Sequence, residues 1–548
     1  MPTSTLDKEA FPTLDEEEMQ ALRRIARPMD CADGDILFKA GDAEIDLFVV
    51  ESGEVDILNP SDGNSLIVTH EAGTFAGDID MLTRRRVIVT AKVRGAARVL
   101  RVPAEKIREV LNRIPRLGEK LLTAFVARRK ALAGAGVTGL KVVGPGRCKD
   151  TASVREFLYK NFVPFTWFDT QTPEGQRQFE AVGSPRKTPA IAFSDGRIML
   201  NPTLQGLAQA AGIWRMCPAQ SVDFLIVGAG PAGIAAAVYA ASEGLSTLVL
   251  DRLGPGGQAG ASSKIENFIG FPSGLSGTEL ATRGVLQMLK FGANIAAPVA
   301  VQKIDPAAAG GKHAVHLDCG SVIQASAILI ATGVHWRRLE AEGAERFDHA
   351  GVYYACTSVE ALLYDKCNVA VVGAGNSAGQ AAMYLAECCR ERTVHLLVRN
   401  KLGPGMSEYL ASRIRAAGNI AVHEGVEVSR VSGRVRCDEL ELKNNATGEK
   451  TPLKCEAVFV FIGAEPQAKW LPESLARDAQ GYLLTGVDAM RSGKWPLSGR
   501  DPLPLETTVP GVLAGGDIRS GSTKRVGFAV GDGSLAVTCV HRLLGMVR

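Results

Sequence analysis

Residues 222–251 constrain this chain more than any other stretch. They read VDFLIVGAGPAGIAAAVYAASEGLSTLVLD. An apolar run, Phe224 to Val227, ends in Gly228-Ala229-Gly230-Pro231-Ala232-Gly233. Small residues suited to a helix follow from Ala232 to about Ser242, and a second apolar run, Thr247 to Leu250, ends in Asp251. The order is strand, glycine turn, helix, strand, acid. Gly228 permits the tight turn, Gly230 lets the backbone approach a pyrophosphate, and Gly233 allows helix and strand to pack closely. Beyond Pro231 the helix N-terminus offers unpaired N–H groups to phosphates. Asp251 stands about 20 residues beyond the turn, where an acid accepts from a ribose hydroxyl. Alone, G-x-G-x-x-G is weak evidence, but the βαβ context makes this one a dinucleotide site rather than an idle turn. The stretch is about long enough to cross a bilayer, yet Gly and Pro interrupt it where the turn needs them, which argues against a membrane helix.

The pattern recurs downstream. Asn368 to Val372 reads as a strand, Gly373-Ala374-Gly375-Asn376-Ser377-Ala378 as the turn, Ala378 to about Cys389 as a helix, and Val394 to Val398 as the next strand. Ala378 at the third glycine position is compatible with the motif. This second strand ends in Arg399-Asn400-Lys401, where an NAD site would place an acid. An Arg pairs with a 2′-phosphate that an acid would repel, so NADPH is expected over NADH, with Arg399 and Lys401 at that phosphate.

The chain has 548 residues, enough for three or four domains. Its hydrophobic content of 46% and charged content of 22% suit a globular protein, and a net charge of +3 argues for neither nucleic acid nor a membrane surface as partner. The opening MPTSTLDKEAFPTLDEEE has no basic or apolar leader segment, so a cytoplasmic location is expected. Eleven Cys occur without any C-x-x-C, which argues against a structural zinc site and a disulfide scaffold; no metal is expected.

Before the first glycine turn lie two further regions. Residues 13–27 read as a short amphipathic helix with Leu14, Met19, Leu22 and Ile25 on one side. Short strand-like runs separated by glycine turns continue to about residue 103, followed by helix from Ala104 to Leu132. Over residues 12–132 this region resembles the cyclic-nucleotide-binding β-roll. Gly77-Asp78-Ile79 and Arg86 stand where that family carries Gly-Glu-Leu and a phosphate-binding Arg. The resemblance implies that Gly77, Asp78 and Arg86 would contact a cyclic nucleotide. Asp78 keeps the carboxylate with a shorter reach, and Arg86 can hold a phosphate bidentately. Val87, Ile88 and Val89, however, crowd the phosphate position. A β-roll kept as a scaffold or docking domain is therefore the favoured reading, with cyclic-nucleotide binding as its alternative.

Residues 131–140, ALAGAGVTGL, read as a linker. The next run gives strand, helix (SVREFLYKN), strand (PFTWFDT), a hairpin (TPAIAFSDGRIML) and a last helix (LQGLAQAAGI). Over about 139–213 this order resembles the thioredoxin/glutaredoxin fold, with Thr188-Pro189 at its usual cis-proline position. The family's dithiol should open the first helix, where this chain has Cys148-Lys149-Asp150-Thr151. A helix N-terminus favours a thiolate at Cys148, but one sulfur cannot form an internal disulfide. A binding or interdomain role is expected for the module.

From residue 222 onward the chain resembles low-molecular-weight thioredoxin reductase. Gly256-Gly257-Gln258, the loop KIENFIGFPSG containing Asn267, Ala331-Thr332-Gly333, Gly516-Asp517, and Lys524-Arg525-Val526 stand where that family surrounds its flavin. The resemblance implies FAD held by Gly228, Gly230, Pro231, Ala232, Gly233, Asp251, Gly257, Gln258, Asn267, Thr332, Gly333, Gly516, Asp517, Arg525 and Val526. It implies NADPH at Gly373, Gly375, Asn376, Ser377, Ala378, Arg399 and Lys401, and a homodimer. The family's redox Cys-Ala-Thr-Cys-Asp does not follow. At its place stand Ala355, Cys356, Thr357, Ser358 and Val359, so the dithiol relay cannot run in its usual form. Cys356 is the one candidate for a catalytic thiol, with plain packing as its alternative.

The expected architecture is multidomain. It comprises a β-roll (1–132), a thioredoxin-like α/β module (139–214), and two Rossmann-like α/β dinucleotide-binding domains. The NADPH domain (336–464) is inserted between two parts of the FAD domain (221–335 and 465–548). The expected activity is hydride transfer from NADPH to FAD and on to an unidentified acceptor, a small molecule or a redox protein. The alternative is a redox or nucleotide sensor with little turnover.

Overall fold

The computed structural model describes residues 9–547 except 44, 84–85, 135–138, 147, 194, 214–219, 263, 309, 349, 357, 404 and 435. In the N-terminal region two long strands, Leu47–Asn59 and Thr90–Val102, pair antiparallel along their length; Arg27–Cys31 and Ser65–His70 flank them. The register slips around Ser52. Gly53 makes this possible: at φ +83°, a Cβ there would lie 2.5 Å from Ala96 O. The helix expected near 13–27 is Glu16–Arg23, opened by a capping box in which Asp15 accepts from Glu18 N and Glu18 accepts from Asp15 N. Leu14, Met19 and Leu22 are buried, while Ile25 lies past the helix.

The helix Pro115–Gly134 corrects one expectation: it takes in residues 131–134, which the glycine and alanine content assigned to a linker. Ala and Leu are strong helix formers and extend a helix already under way. Of that linker, 135–138 lie outside the described residues.

His70 closes the strand Ser65–His70 and is buried beside the Phe11 ring and the Arg128 guanidinium. Burial first, and then the Arg128 charge, push its pKa down to about 3. The unfolded chain therefore binds a proton below about pH 6.5 that the folded chain refuses. Stability is complete above that pH and is lost as pH falls toward 3. Between pH 7 and 5 this one group should cost about 2 kcal/mol. In urea titrations at the two pH values, His70→Gln should reduce the acid-induced loss by about that much; an unchanged loss would refute the assignment.

The next region forms a four-stranded sheet in the order Ile198–Leu200, Ala190–Phe193, Leu140–Val143, Phe165–Phe168. Leu140–Val143 pairs parallel with the edge strand Phe165–Phe168, and the other two pairings are antiparallel. The Thr188–Pro189 peptide is cis. Helices Lys149–Lys160, Pro173–Ala181 and Leu204–Ala210 accompany the sheet. The helix Pro173–Ala181 is not among the elements expected from the sequence. Its start signal was present: Thr172 caps it by accepting from Gly175 N, and Pro173 occupies the first turn.

Beyond residue 220 a seven-stranded sheet runs Asn294–Ala296, Thr247–Leu250, Ser221–Val227, Val322–Ile330, His313–Leu317, Val301–Asp305, with Val512–Ala514 added beside Val322–Ile330. Between these strands in the chain lies an all-parallel sheet, Val352–Tyr353, Ala457–Val460, Val369–Val372, Val394–Val398, Ile420–Glu424. The two chain crossings, Val334–Trp336 and Ala464–Pro466, pair antiparallel.

One buried apolar cluster runs from Leu47, Phe75 and Leu121 of the β-roll to Phe224, Ile226 and Leu286 of the seven-stranded unit. The helix Gly277–Phe291 joins them, and Asn112 Nδ2 donates to Lys290 O at 3.0 Å. Among the described residues no helix is long and apolar enough to cross a membrane.

Candidate functional site

Both glycine turns open on one cleft of about 2080 Å³. At the first turn the strand Ser221–Val227 ends in Gly228, whose φ is +110°; a Cβ there would lie 2.4 Å from Ala331 O. Gly230 caps the helix Pro231–Ser242. Gly233 lies beneath the turn, where a Cβ would sit 1.9 Å from Gly228 O and 3.1 Å from Ile226 Cγ2. Gly257 crosses the turn so closely that its Cβ would lie 2.9 Å from Gly230 Cα. Three chain segments thus meet with no side chain between them, leaving backbone N–H groups and a helix N-terminus facing the cleft. This is a cradle fitted to a pyrophosphate. Asp251 holds its edges together: Oδ2 accepts from Ala229 N at 2.8 Å, and Oδ1 from Leu253 N and Gly254 N at 2.9 and 2.8 Å.

Gln258, Asn267, Thr332, Gly333, Gly516, Asp517, Arg525 and Val526 line the same cleft. Gln258 Nε2 donates to Val334 O, Thr332 Oγ1 donates to Gln467 O at 3.4 Å, and Asp532 accepts from Gly516 N at 2.9 Å. Burial raises the Asp517 carboxyl above its ordinary range; Lys524 opposes the shift and Asp532 adds to it. Lys524 Nζ donates to Asp517 O at 3.1 Å and lies over the Tyr482 ring.

The second turn repeats the construction. Gly373 follows Val369–Val372, and a Cβ on it would meet Phe461 O at 2.4 Å. Gly375 caps the helix Asn376–Cys388, and Asn376, Ser377 and Ala378 lie in its first turn. Asn376 Oδ1 accepts from Ser407 N at 2.7 Å. Arg399, at the end of Val394–Val398, is 78% exposed, lines the cleft and pairs with Glu427 at 2.8 Å. Lys401 is exposed two residues on, outside the cleft lining.

Cys356 lines the cleft yet is only 4% exposed. Burial, with smaller help from Glu360 and Cys388, pushes its thiol well above the ordinary range, so it is protonated at neutral pH. Thr357 lies outside the described residues.

Sequence reasoning missed His335. Gln467 Nε2 lies 2.9 Å and Arg252 Nη2 3.4 Å from its Nδ1. Both neighbours are donors, so Nδ1 accepts and the proton rests on Nε2. Burial first, then Arg252 and Arg338, lower its pKa, which leaves a neutral imidazole on the cleft wall. The only available signal was its place just after Ala331-Thr332-Gly333.

The candidate cyclic-nucleotide residues lie away from this cleft. Gly77 O accepts from the buried Arg128 at 2.6 Å, and Asp78 faces Arg129 at 3.8 Å. Arg86 Nη1 donates to Gly41 O at 2.7 Å, and its stem lies against Gly212 of the middle region. Cys148 caps the helix Lys149–Lys160 without a side-chain capping bond.

Comparison with known proteins agrees with this arrangement. Residues 222–533 match the family described as pyridine nucleotide-disulphide oxidoreductase, and residues 29–114 match the cyclic nucleotide-binding domain. The chain is 32% identical over 316 residues to a thioredoxin reductase of Treponema pallidum, covering 57% of this chain and 94% of that one. It is 30% identical over 333 residues to a 34.2 kDa protein in the rubredoxin operon of Clostridium pasteurianum, covering 60% of this chain and 98% of that one. A 30% identical match over 349 residues to an alkyl hydroperoxide reductase component of Pseudomonas putida spans 63% of each chain. Among solved structures, thioredoxin reductase of T. acidophilum superposes with a TM-score of 0.53 at 26% identity, covering 60% of this chain and all of that one. Two glycine turns on one cleft and the match over residues 222–533 lead to one conclusion: the chain belongs to the pyridine nucleotide-disulphide oxidoreductases and is an NADPH-dependent flavoprotein oxidoreductase with FAD and NADPH as its cofactors.

Proposed function

We propose that this protein passes electrons from NADPH to an acceptor other than a cysteine pair of its own. The observation that carries this reading is Cys356, a single buried and protonated thiol on the cleft wall, with Ala355 and Ser358 where the relay sulfurs would stand. Bound FAD supplies two-electron chemistry that accepts hydride from a nicotinamide. Gly228, Gly230, Pro231, Ala232 and Gly233 would hold its pyrophosphate, and Asp251 its ribose. Gly257, Gln258, Asn267, Thr332, Gly333, Gly516, Asp517, Arg525 and Val526 would line the rest of its site. Gly373, Gly375, Asn376, Ser377 and Ala378 would hold NADPH, with Arg399 at the 2′-phosphate and Lys401 as a further cation outside the cleft. His335, neutral and oriented by Gln467, is suited to donate a hydrogen bond into the cleft.

The domains of this reading are a β-roll at 1–132, a thioredoxin-like module at 139–214, an FAD domain at 221–335 and 465–548, and an NADPH domain at 336–464 inserted in it. The antiparallel pairing of the two crossings and the sheet order of the module support it. The β-roll serves as a fixed scaffold. The continuous core it shares with the FAD unit favours that, as do the bonds Gly77, Asp78 and Arg86 make within the chain. A homodimer in the cytoplasm completes the reading.

Anaerobic titration with NADPH, followed by addition of acceptors, tests it. The flavin should bleach, and Cys356→Ser should bleach equally well. A quinone, an iron–sulfur protein or a partner's disulfide should then restore the colour faster than oxygen does. Loss of bleaching in Cys356→Ser would sink the relay-free mechanism. Bleaching that no acceptor reverses faster than oxygen would favour a sensor.

A further inference from the structure

The middle module is joined to the first nucleotide site through the loop that carries Asp251. Leu253 leaves its own unit and packs against the module's apolar cluster, whose core includes Val154, Phe157 and Leu158. The carbonyl of Leu253 accepts from Asn161 Nδ2 at 2.7 Å, and the same amide donates to Phe157 O at 2.9 Å. Asn161 is 2% exposed. Gly254 comes so near the end of the module's first helix that a Cβ on it would lie 2.8 Å from Asn161 Nδ2 and 3.1 Å from Lys160 Cβ. On its other side the loop donates two N–H groups to Asp251 Oδ1. One short loop therefore carries the acid expected at the ribose and is gripped by the module. The module helix continues along the cleft with Arg155, Tyr159 and Lys160.

We infer that this module, which has no dithiol, is a clamp on the adenosine end of the FAD site. Asn161 and Leu253 act as positioning residues that fix the Asp251 loop, and Tyr159 and Lys160 form a wall over the adenosine. The physical reason lies in the loop itself. Residues 252–257, RLGPGG, have little side chain to hold them, so a free loop would have to be ordered each time the cofactor binds. The module orders it beforehand, which raises affinity by preorganisation. The inference rests on assigning the first glycine turn to FAD.

The test uses the full chain stripped of flavin and titrated with FAD and separately with FMN, which lacks the adenosine. Asn161→Ala should weaken FAD binding about tenfold, the worth of one well-made buried hydrogen bond, and leave FMN binding unchanged. Tyr159→Ser, at a 42% exposed position, should weaken FAD about threefold and keeps the test open if Asn161→Ala fails to fold. NADPH affinity of the FAD-saturated variants should match the wild type. Unchanged FAD affinity in a folded Asn161→Ala chain and in Tyr159→Ser, or an equal loss of FMN, overturns the clamp and leaves the FAD assignment standing. A wild-type chain that takes up no FAD overturns both.

Discussion

Gly233→Val should yield a chain that purifies without flavin. Even the first carbon of a side chain at this position would lie 1.9 Å from Gly228 O, a distance no non-bonded carbon and oxygen can share. The contact is with backbone rather than with a flexible side-chain tip, so relief requires moving the helix Pro231–Ser242 off the strand Ser221–Val227. That movement would open the turn at Gly230 and withdraw the helix N-terminus from the phosphates of the proposed FAD site. The overpacking alone should cost about 1–3 kcal/mol of stability. The loss of FAD should be larger, more than about a hundredfold, because several charge-assisted contacts are lost together. Flavin absorbance per chain and thermal melting would measure the two effects. Gly244→Ala serves as the control, since a Cβ there meets nothing within 4 Å. It should keep its flavin and lose only the roughly 1–2 kcal/mol that a left-handed residue costs an alanine. Retention of full flavin by Gly233→Val would mean that the first turn does not hold FAD.

The second large effect concerns the closing segment. Glu506 is fully buried, and Arg500 grips both of its oxygens at 2.6 and 2.7 Å. Leu503 N and Gly511 N also donate to it at 2.9 Å each, so this carboxylate organises the turn that leads into Val512–Ala514 and then Gly516-Asp517. Arg500→Met should destabilise the fold by about 3–5 kcal/mol, because a buried charge is left with two amide donors and no cation. Arg500→Met with Glu506→Met should recover much of the loss, since apolar residues replace an ion pair at little net cost. Melting curves of the single and double variants decide this; a double variant as unstable as the single would show that the charge is not the cause.

Several elements could be read directly from local chemistry. The two glycine turns were legible because each is a run of six residues whose backbone demands are met by Gly in that run, and both turns form where expected. The capping box at Asp15 is equally local. The helix Pro173–Ala181 carries the same kind of signal in Thr172-Pro173, although its short run has no apolar stripe to reinforce it. The missing C-x-x-C could be read by spacing alone.

Other features depended on residues far apart in the chain. Arg86 stands at a phosphate-binding position by order, yet folding carries its guanidinium to Gly41 O and its stem to Gly212. Cys356 could be named from the sequence, but only the surrounding core decides that its thiol stays protonated. His335 becomes a neutral, oriented group because Gln467, 132 residues away, reaches its ring. Asn161 meets Leu253 across 92 residues, and no periodicity announces that contact. Turn geometry, caps and motif spacing are set by neighbours along the chain, so the sequence alone determined the two glycine turns. Burial, charge pairing and the grip of one module on another are set by neighbours in space, so only the tertiary structure decided how those turns share a cleft and what holds their loops.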